Sequence, residues 1–242
     1  MQDHAEWARL RDRLLARGRM PALPTGWSHQ SAMLAASGFE YGGDFIVSDL
    51  SADEQRLQLV LVDVCGGGES AVPAAVQFAG ALESLIVAVA DDALLGAANA
   101  YLQRQPSDED MATAVQVVLD LATGEYRIRS AGHPPALHWS PGTGEWGIDN
   151  ARGTALGVCD TPEFGESTGV LAPGEALLFY TDGVVESRSA DIDEGIAWLR
   201  EAARGAVLED WAGAAARLIG QVERGDDDRA VLIVRRVAPG GI

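Results

Sequence analysis

The sequence predicts an α+β fold in which helices cover antiparallel sheets. Alternating apolar runs of strand length recur in two blocks, at residues 28–64 and 112–140. Between these blocks, and again after residue 190, lie stretches with helical spacing, the first rich in alanine. Short polar turns join neighbouring runs closely enough for antiparallel pairing. With 242 residues, 47% of them hydrophobic, the chain has ample material for a core, and no internal repeat or linker divides it.

Residues 5–17 read as a short helix with Trp7, Leu10 and Leu14 on one face, broken by MPALP at 20–24. This assigns residues 1–24 to an N-terminal helix and linker and residues 25–242 to the main domain. Such a helix either packs on that domain or pairs with a second copy or an activator. Strands are expected at 28–35, 44–50 and 56–64, the last two joined by SADEQ. Residues 70–102 read as two helices with a break near 90–93. The runs 112–120 and 126–131 flank an ATGE turn, a hairpin signal, and a further strand covers 136–140. Residues 141–151 read as a Gly-rich loop, and 170–174 as the end of a β segment with its turn. A strand at 176–181, a helical stretch at 191–222 and a final strand at 230–237 complete the order. Asp191, Asp193 and Glu194 sit where acids favour a helix N-terminus.

All 18 basic residues are arginine; against 36 Asp and Glu they leave a net charge of −18. Such a field repels nucleic acid and anionic membrane surfaces, so neither is an expected partner. No apolar run is long enough to span a bilayer, and the charged N-terminus lacks a signal-peptide core, so a cytoplasmic location is expected. Cys65 and Cys159 read as reduced small hydrophobes rather than a disulfide framework.

The chemistry lies where apolar strands meet aspartates. In LQLVLVDV, Leu57, Leu59, Leu61 and Asp63 share one face, and Gln58, Val60, Val62 and Val64 the other. Asp182 follows a second run, Asp227 and Asp228 precede a third, and Asp44 opens a fourth. Strand ends gather at the rims of packed sheets, where these carboxylates can converge. Two carboxylates about 5 Å apart repel by roughly 3 kcal/mol at an effective dielectric near 20, so a cluster calls for counter-charge. All-oxygen ligands suit Mg²⁺ or Mn²⁺ rather than zinc. Two such ions about 3.5–4 Å apart can activate water and clamp a phosphoryl oxygen. By themselves the residues fit both metal-dependent phosphoester hydrolysis and unrelated turn aspartates that accept local hydrogen bonds.

Six motifs in order resemble the SpoIIE/RsbU branch of the PPM-type protein serine/threonine phosphatases. They are YGGDF (41–45), LVDVCGGG (61–68) with VPAA (72–75), SAGHPPAL (130–137), GTALGV (153–158), LAPGEALLFYTDGVVES (171–187) and DDRAVLIVRR (227–236). The similarity runs from about residue 14 to the C-terminus. It implies an αββα sandwich of two antiparallel sheets flanked by helices, with a dinuclear Mn²⁺ or Mg²⁺ site between the sheets. Asp63 is implied as the ligand bridging both ions, with the backbone carbonyl of Val64 beside it. Asp44 is implied to reach the site directly or through water, and Asp182 and Asp227 to bind the second ion; Asp228 is a further candidate. The implied reaction is in-line attack by a metal-bridging hydroxide, served by Asp63 and Asp44, on phosphoserine or phosphothreonine. The implied substrate is a phosphorylated STAS-type anti-sigma-factor antagonist, whose dephosphorylated form binds the anti-sigma factor and frees the sigma factor.

The chain departs from the branch pattern at Ile46, Val47, Cys65, Gly67 and Ala230, none of them an implied ligand. Cys65 reads as a buried thiol in a serine position, and His133 as a turn-fixing residue, with phosphate donation its alternative role. A non-catalytic partner-binding module on the same fold and a small-molecule metal phosphohydrolase are the competing functions. If the N-terminal helix mediates a dimer or docks an activator, deleting residues 1–20 changes the light-scattering mass or the activity. Unchanged mass and activity would contradict that role.

Overall fold

The alternation at residues 57–64 becomes a central strand with both faces covered. The computed structural model describes residues 20–35, 42–66, 71–105, 111–186, 191–222 and 227–239; the helix expected at 5–17 and the departure at Gly67 lie outside them. One sheet holds β2 (Phe45–Leu50), β3 (Arg56–Val64), β4 (Ala112–Asp120), β5 (Glu125–Ala131) and β8 (Gly165–Val170), in the order β2-β3-β4-β5-β8. The other runs β1-β10-β9-β6-β7, built from β1 (Trp27–Leu34), β6 (Leu137–Ser140), β7 (Glu145–Ile148), β9 (Ala176–Tyr180) and β10 (Arg229–Arg236). All strand pairs are antiparallel, as expected for hairpin-rich connections.

Side-chain parity sorts the core into three layers. Leu57, Leu59 and Leu61 of β3 meet Leu177, Phe179, Leu232 and Val234 of the other sheet, filling the space between the sheets. The opposite face of β3, with Val60, Val62 and Val64, packs on α1 (Val72–Ala88) and α2 (Leu94–Leu102). Leu178, Tyr180, Val231 and Ile233 turn outward onto α3 (Ile192–Glu209) and α4 (Ala214–Gln221). The result is an αββα sandwich. Pro at the start of α1 suits the first helical turn. Asp191 caps α3 by accepting from the Glu194 N–H at 2.8 Å, with Asp193 and Glu194 in the first turn. Among the described residues no helix is long and apolar enough to cross a membrane.

Two segments differ from the sequence reading. The expected loop at 141–151 contains β7, which pairs with β6 from Leu137↔Ile148 to Ser140↔Glu145. Its single anchor, Trp146, is fully buried against Trp139; one aromatic in a four-residue strand is too little alternation to register as β. The helical stretch 191–222 splits at residues 210–213, where Gly213 adopts φ +72°, so the chain turns before α4 begins.

Leu61 is completely buried between the sheets. Leu61→Ala is expected to lower unfolding free energy by about 2–5 kcal/mol in chemical denaturation. A loss below 1 kcal/mol, on the order of a surface change, would contradict the intersheet packing.

Candidate metal centre

Strand parity aims the acidic groups toward one rim. Asp63 lies in phase with Leu59 and Leu61, and Asp44 in phase with Ile46, all on the intersheet side. Pairing of Phe45 with Val62, continued by one residue, sets Asp44 across from Asp63. In the other sheet, Leu177 and Phe179 put Thr181 on the same side, and Ala230 and Leu232 do so for Asp228. The pairing Val231↔Tyr180 then brings the start of β10 beside the end of β9, where Asp182 opens a 3-10 turn, Asp182–Val184. Both sheets therefore deliver carboxylates to one place.

Glycines permit this closeness. A Cβ on Gly42 would lie 2.4 Å from the Asp228 carboxyl carbon, and one on Gly183 would lie 2.1 Å from the Asp228 backbone oxygen. The glycines before Asp44 and after Asp182 are thus required by the approach of β10. Asp228, buried, accepts the Gly43 N–H at 2.5 Å. Asp227 is exposed and accepts the Asp228 N–H at 2.8 Å. Both carboxylates of the pair thus hold a backbone N–H, and Asp227, though exposed, lies close enough to raise the pKa of Asp63 and Asp182. Val64 is buried at the end of β3, and its carbonyl oxygen would lie 3.4 Å from a Cβ on Gly43, beside the same segment.

The electrostatics show a cluster short of positive charge. Desolvation, then the facing Asp63 carboxylate, holds the Asp44 pKa well above the ordinary range, while the Thr181 hydrogen bond opposes them. Desolvation followed by Asp182 and Asp227 pushes Asp63 up to about 8. Desolvation followed by Asp227 and Glu186 pushes Asp182 up to about 6. Among the described residues, buried Oδ1 atoms of Asp44 and Asp182 have no hydrogen-bond partner, and no arginine pairs with Asp44, Asp63, Asp182 or Asp227. Oxygen donors, open lone pairs and missing counter-charge fit a hard divalent cation. Among the described residues no group of three or more Asp, Glu, His or Cys side chains is drawn together as a formed metal site.

Thr181 escaped the sequence reading because it is neutral. Fully buried, it donates its hydroxyl proton to Asp44 Oδ2 at 2.8 Å and accepts the Ala230 N–H at 2.8 Å. Its place immediately before Asp182 was the available signal. His133 is buried, its Nδ1 2.9 Å from Thr113 Oγ1 and its carbonyl accepting the Ser130 hydroxyl at 3.2 Å. Burial pushes its pKa down to about 3, so it is a neutral turn-fixing residue. Cys65 corrects the expectation of a buried thiol: it is exposed at the end of β3, because the strand leaves the core at Val64.

The sequence profile of the family described as stage II sporulation protein E (SpoIIE) matches residues 53–237. Phosphoserine phosphatase RsbP of Bacillus subtilis (strain 168) is 28% identical over 142 residues, covering 55% of this chain and 34% of RsbP. The chain thus spans about a third of that relative. The RsbU and RsbW domains of Rv1364c from Mycobacterium tuberculosis superpose with TM-score 0.75 at 28% identity, over 90% of this chain and 63% of theirs. RsbX in complex with magnesium superposes with TM-score 0.65 at 15% identity, over 88% and 96%, a likeness of fold.

The shifts of Asp63 and Asp182 set a sign for stability. Carboxyls with pKa near about 4 when unfolded hold their protons to higher pH when folded. Folding of chelator-treated protein therefore loses stability as pH rises from about 4 to about 8. Its melting temperature should fall across that window, and the fall should flatten in Asp63→Asn. A melting temperature that climbs steadily across the window in the wild type would contradict the cluster.

Proposed function

The chain belongs to the SpoIIE family, and on that premise we propose that it is a PPM-type (PP2C-type) protein serine/threonine phosphatase that uses Mn²⁺ or Mg²⁺. Family and fold point to phosphatase activity. The observation that carries the metal-dependent reading is the convergence of Asp63, Asp182, Asp227 and Asp44 on one rim without a partnering arginine among the described residues.

In this reading Asp63, Asp182 and Asp227 hold two ions, with the Val64 carbonyl beside them and Asp44 at the edge of the same site. Bound there, the cations would neutralise the carboxylates, lower the pKa of water and offset charge that builds on a phosphoryl oxygen. Asp63 is central to the cluster, across the β2–β3 pair from Asp44 and hydrogen-bonded to Asp182. Thr181 fixes Asp44, and Asp228 fixes the Gly42–Gly43 backbone rather than spending both oxygens on an ion. His133 stays neutral and buried, and takes no part in proton transfer at physiological pH. The likeness to a magnesium-bound RsbX supports the choice of cation.

The substrate proposed is a phosphoserine or phosphothreonine on a STAS-type anti-sigma-factor antagonist in the cytoplasm. The branch resemblance supports it, as does the name of RsbP, a phosphoserine phosphatase. Residues 25–242 form the catalytic domain in this reading, with residues 1–24 available to a second copy or an activator.

Mn²⁺-dependent hydrolysis of p-nitrophenyl phosphate is expected, with Asp63→Asn lowering kcat by about 100-fold or more. A phosphorylated STAS protein should be hydrolysed in preference to free phosphoserine. Metal-independent hydrolysis, or full activity in Asp63→Asn, would contradict the mechanism; no hydrolysis at all would favour a non-catalytic module.

A further inference from the structure

We propose that Thr181 is a positioning residue for the metal centre, its hydroxyl tying Asp44 to the β9–β10 backbone so that Asp44 Oδ1 is the oxygen left for a cation. The inference rests on the metal-centre reading and deepens it.

The hydrogen-bond inventory fixes the direction. A threonine hydroxyl has one proton. The Ala230 N–H can only donate, so at 2.8 Å it occupies a lone pair of Thr181 Oγ1. The hydroxyl proton is then directed to Asp44 Oδ2, 2.8 Å away. Asp44 Oδ1 remains buried and unpartnered among the described residues. One carboxylate oxygen is thus held by protein and the other is open.

This bond also joins the two sheets. Asp44 stands just before β2, and Thr181 just after β9 of the other sheet, 137 residues later in sequence. Thr181 is itself anchored twice to Ala230, since its N–H donates to the Ala230 carbonyl at 3.1 Å. Gly43, next to Asp44, is held by Asp228 at 2.5 Å. The segment carrying Asp44 is therefore clamped from β10 on one side and from Thr181 on the other. Branching at Cβ restricts Thr181 to few rotamers, which suits a residue whose work is to aim another. It contacts Asp44 rather than any reacting atom.

Calorimetric titration of chelator-treated protein with Mn²⁺ tests this without recourse to activity. Thr181→Val, which keeps the shape and removes the hydroxyl, should weaken Mn²⁺ binding by about tenfold or more. Thr181→Ser should stay within about threefold of wild type, because it keeps donor and acceptor. In an Asp44→Ala background, Thr181→Val should add less than about twofold, since the two residues act as a unit. Wild-type affinity in Thr181→Val, a Thr181→Ser loss equal to that of Val, or a full Val effect without Asp44 would each overturn the proposal. Should Thr181→Val not fold by circular dichroism, Thr181→Ala replaces it in the same cycle, with the same expected and overturning results. Failure of the wild-type protein to bind Mn²⁺ would instead defeat the metal-centre reading on which the proposal stands.

Discussion

Carboxylates repel one another, and the rim of this sandwich holds several in a partly desolvated space. At an effective dielectric near 20, a pair about 5 Å apart costs roughly 3 kcal/mol, comparable to a large share of a domain's net stability. Asp63 responds with a pKa raised to about 8, and Asp182 with one raised to about 6. Protonation relieves the repulsion at low pH. At neutral pH the proposed cation would supply the missing charge, since no described arginine pairs with Asp44, Asp63, Asp182 or Asp227. Arg217 spans the C-terminal end of α3, and Arg200 and Arg204 bond to carbonyls around β7.

The sandwich makes that arrangement possible by rigidity. Large apolar side chains fill the space between the sheets up to Leu61, Phe179 and Leu232, and the same-face positions beyond them hold Asp63, Thr181 and, past Ala230, Asp228. Small residues then let the backbones close: Gly42 and Gly183 lie where any Cβ would collide with Asp228. Hydrogen bonds finish the positioning, Asp228 to Gly43 and Thr181 to Asp44. Each layer of the site therefore depends on the one beneath it, from packing to backbone approach to side-chain aim.

Much of this was legible from residues. The strand Arg56–Val64 was read with its ends and its two faces, because nine alternating residues give a clear period. The placement of Asp63, Asp44 and Asp182 at strand ends followed from the same runs. β7 was not legible, since Trp146 is its only buried residue and glycines surround it. The resemblance ranks Asp227 ahead of Asp228 as a ligand, but residue type alone does not show that Asp228 holds the Gly43 N–H, which depends on the approach of a distant segment. Thr181 was silent for a different reason, because a neutral hydroxyl carries no charge signal and its role exists only across the two sheets. The exposure of Cys65 likewise depends on where β3 leaves the core, a tertiary fact.

The central claim is that the rim bounded by Asp63, Asp182 and Asp227 exists to hold divalent cations. Anomalous diffraction from crystals grown with Mn²⁺ tests it most directly. The account predicts strong anomalous peaks within coordination distance of Asp63, shared with Asp182 and Asp227, and their disappearance in Asp63→Asn crystals. Manganese ordered only elsewhere on the acidic surface, with this rim free of anomalous signal, would contradict it.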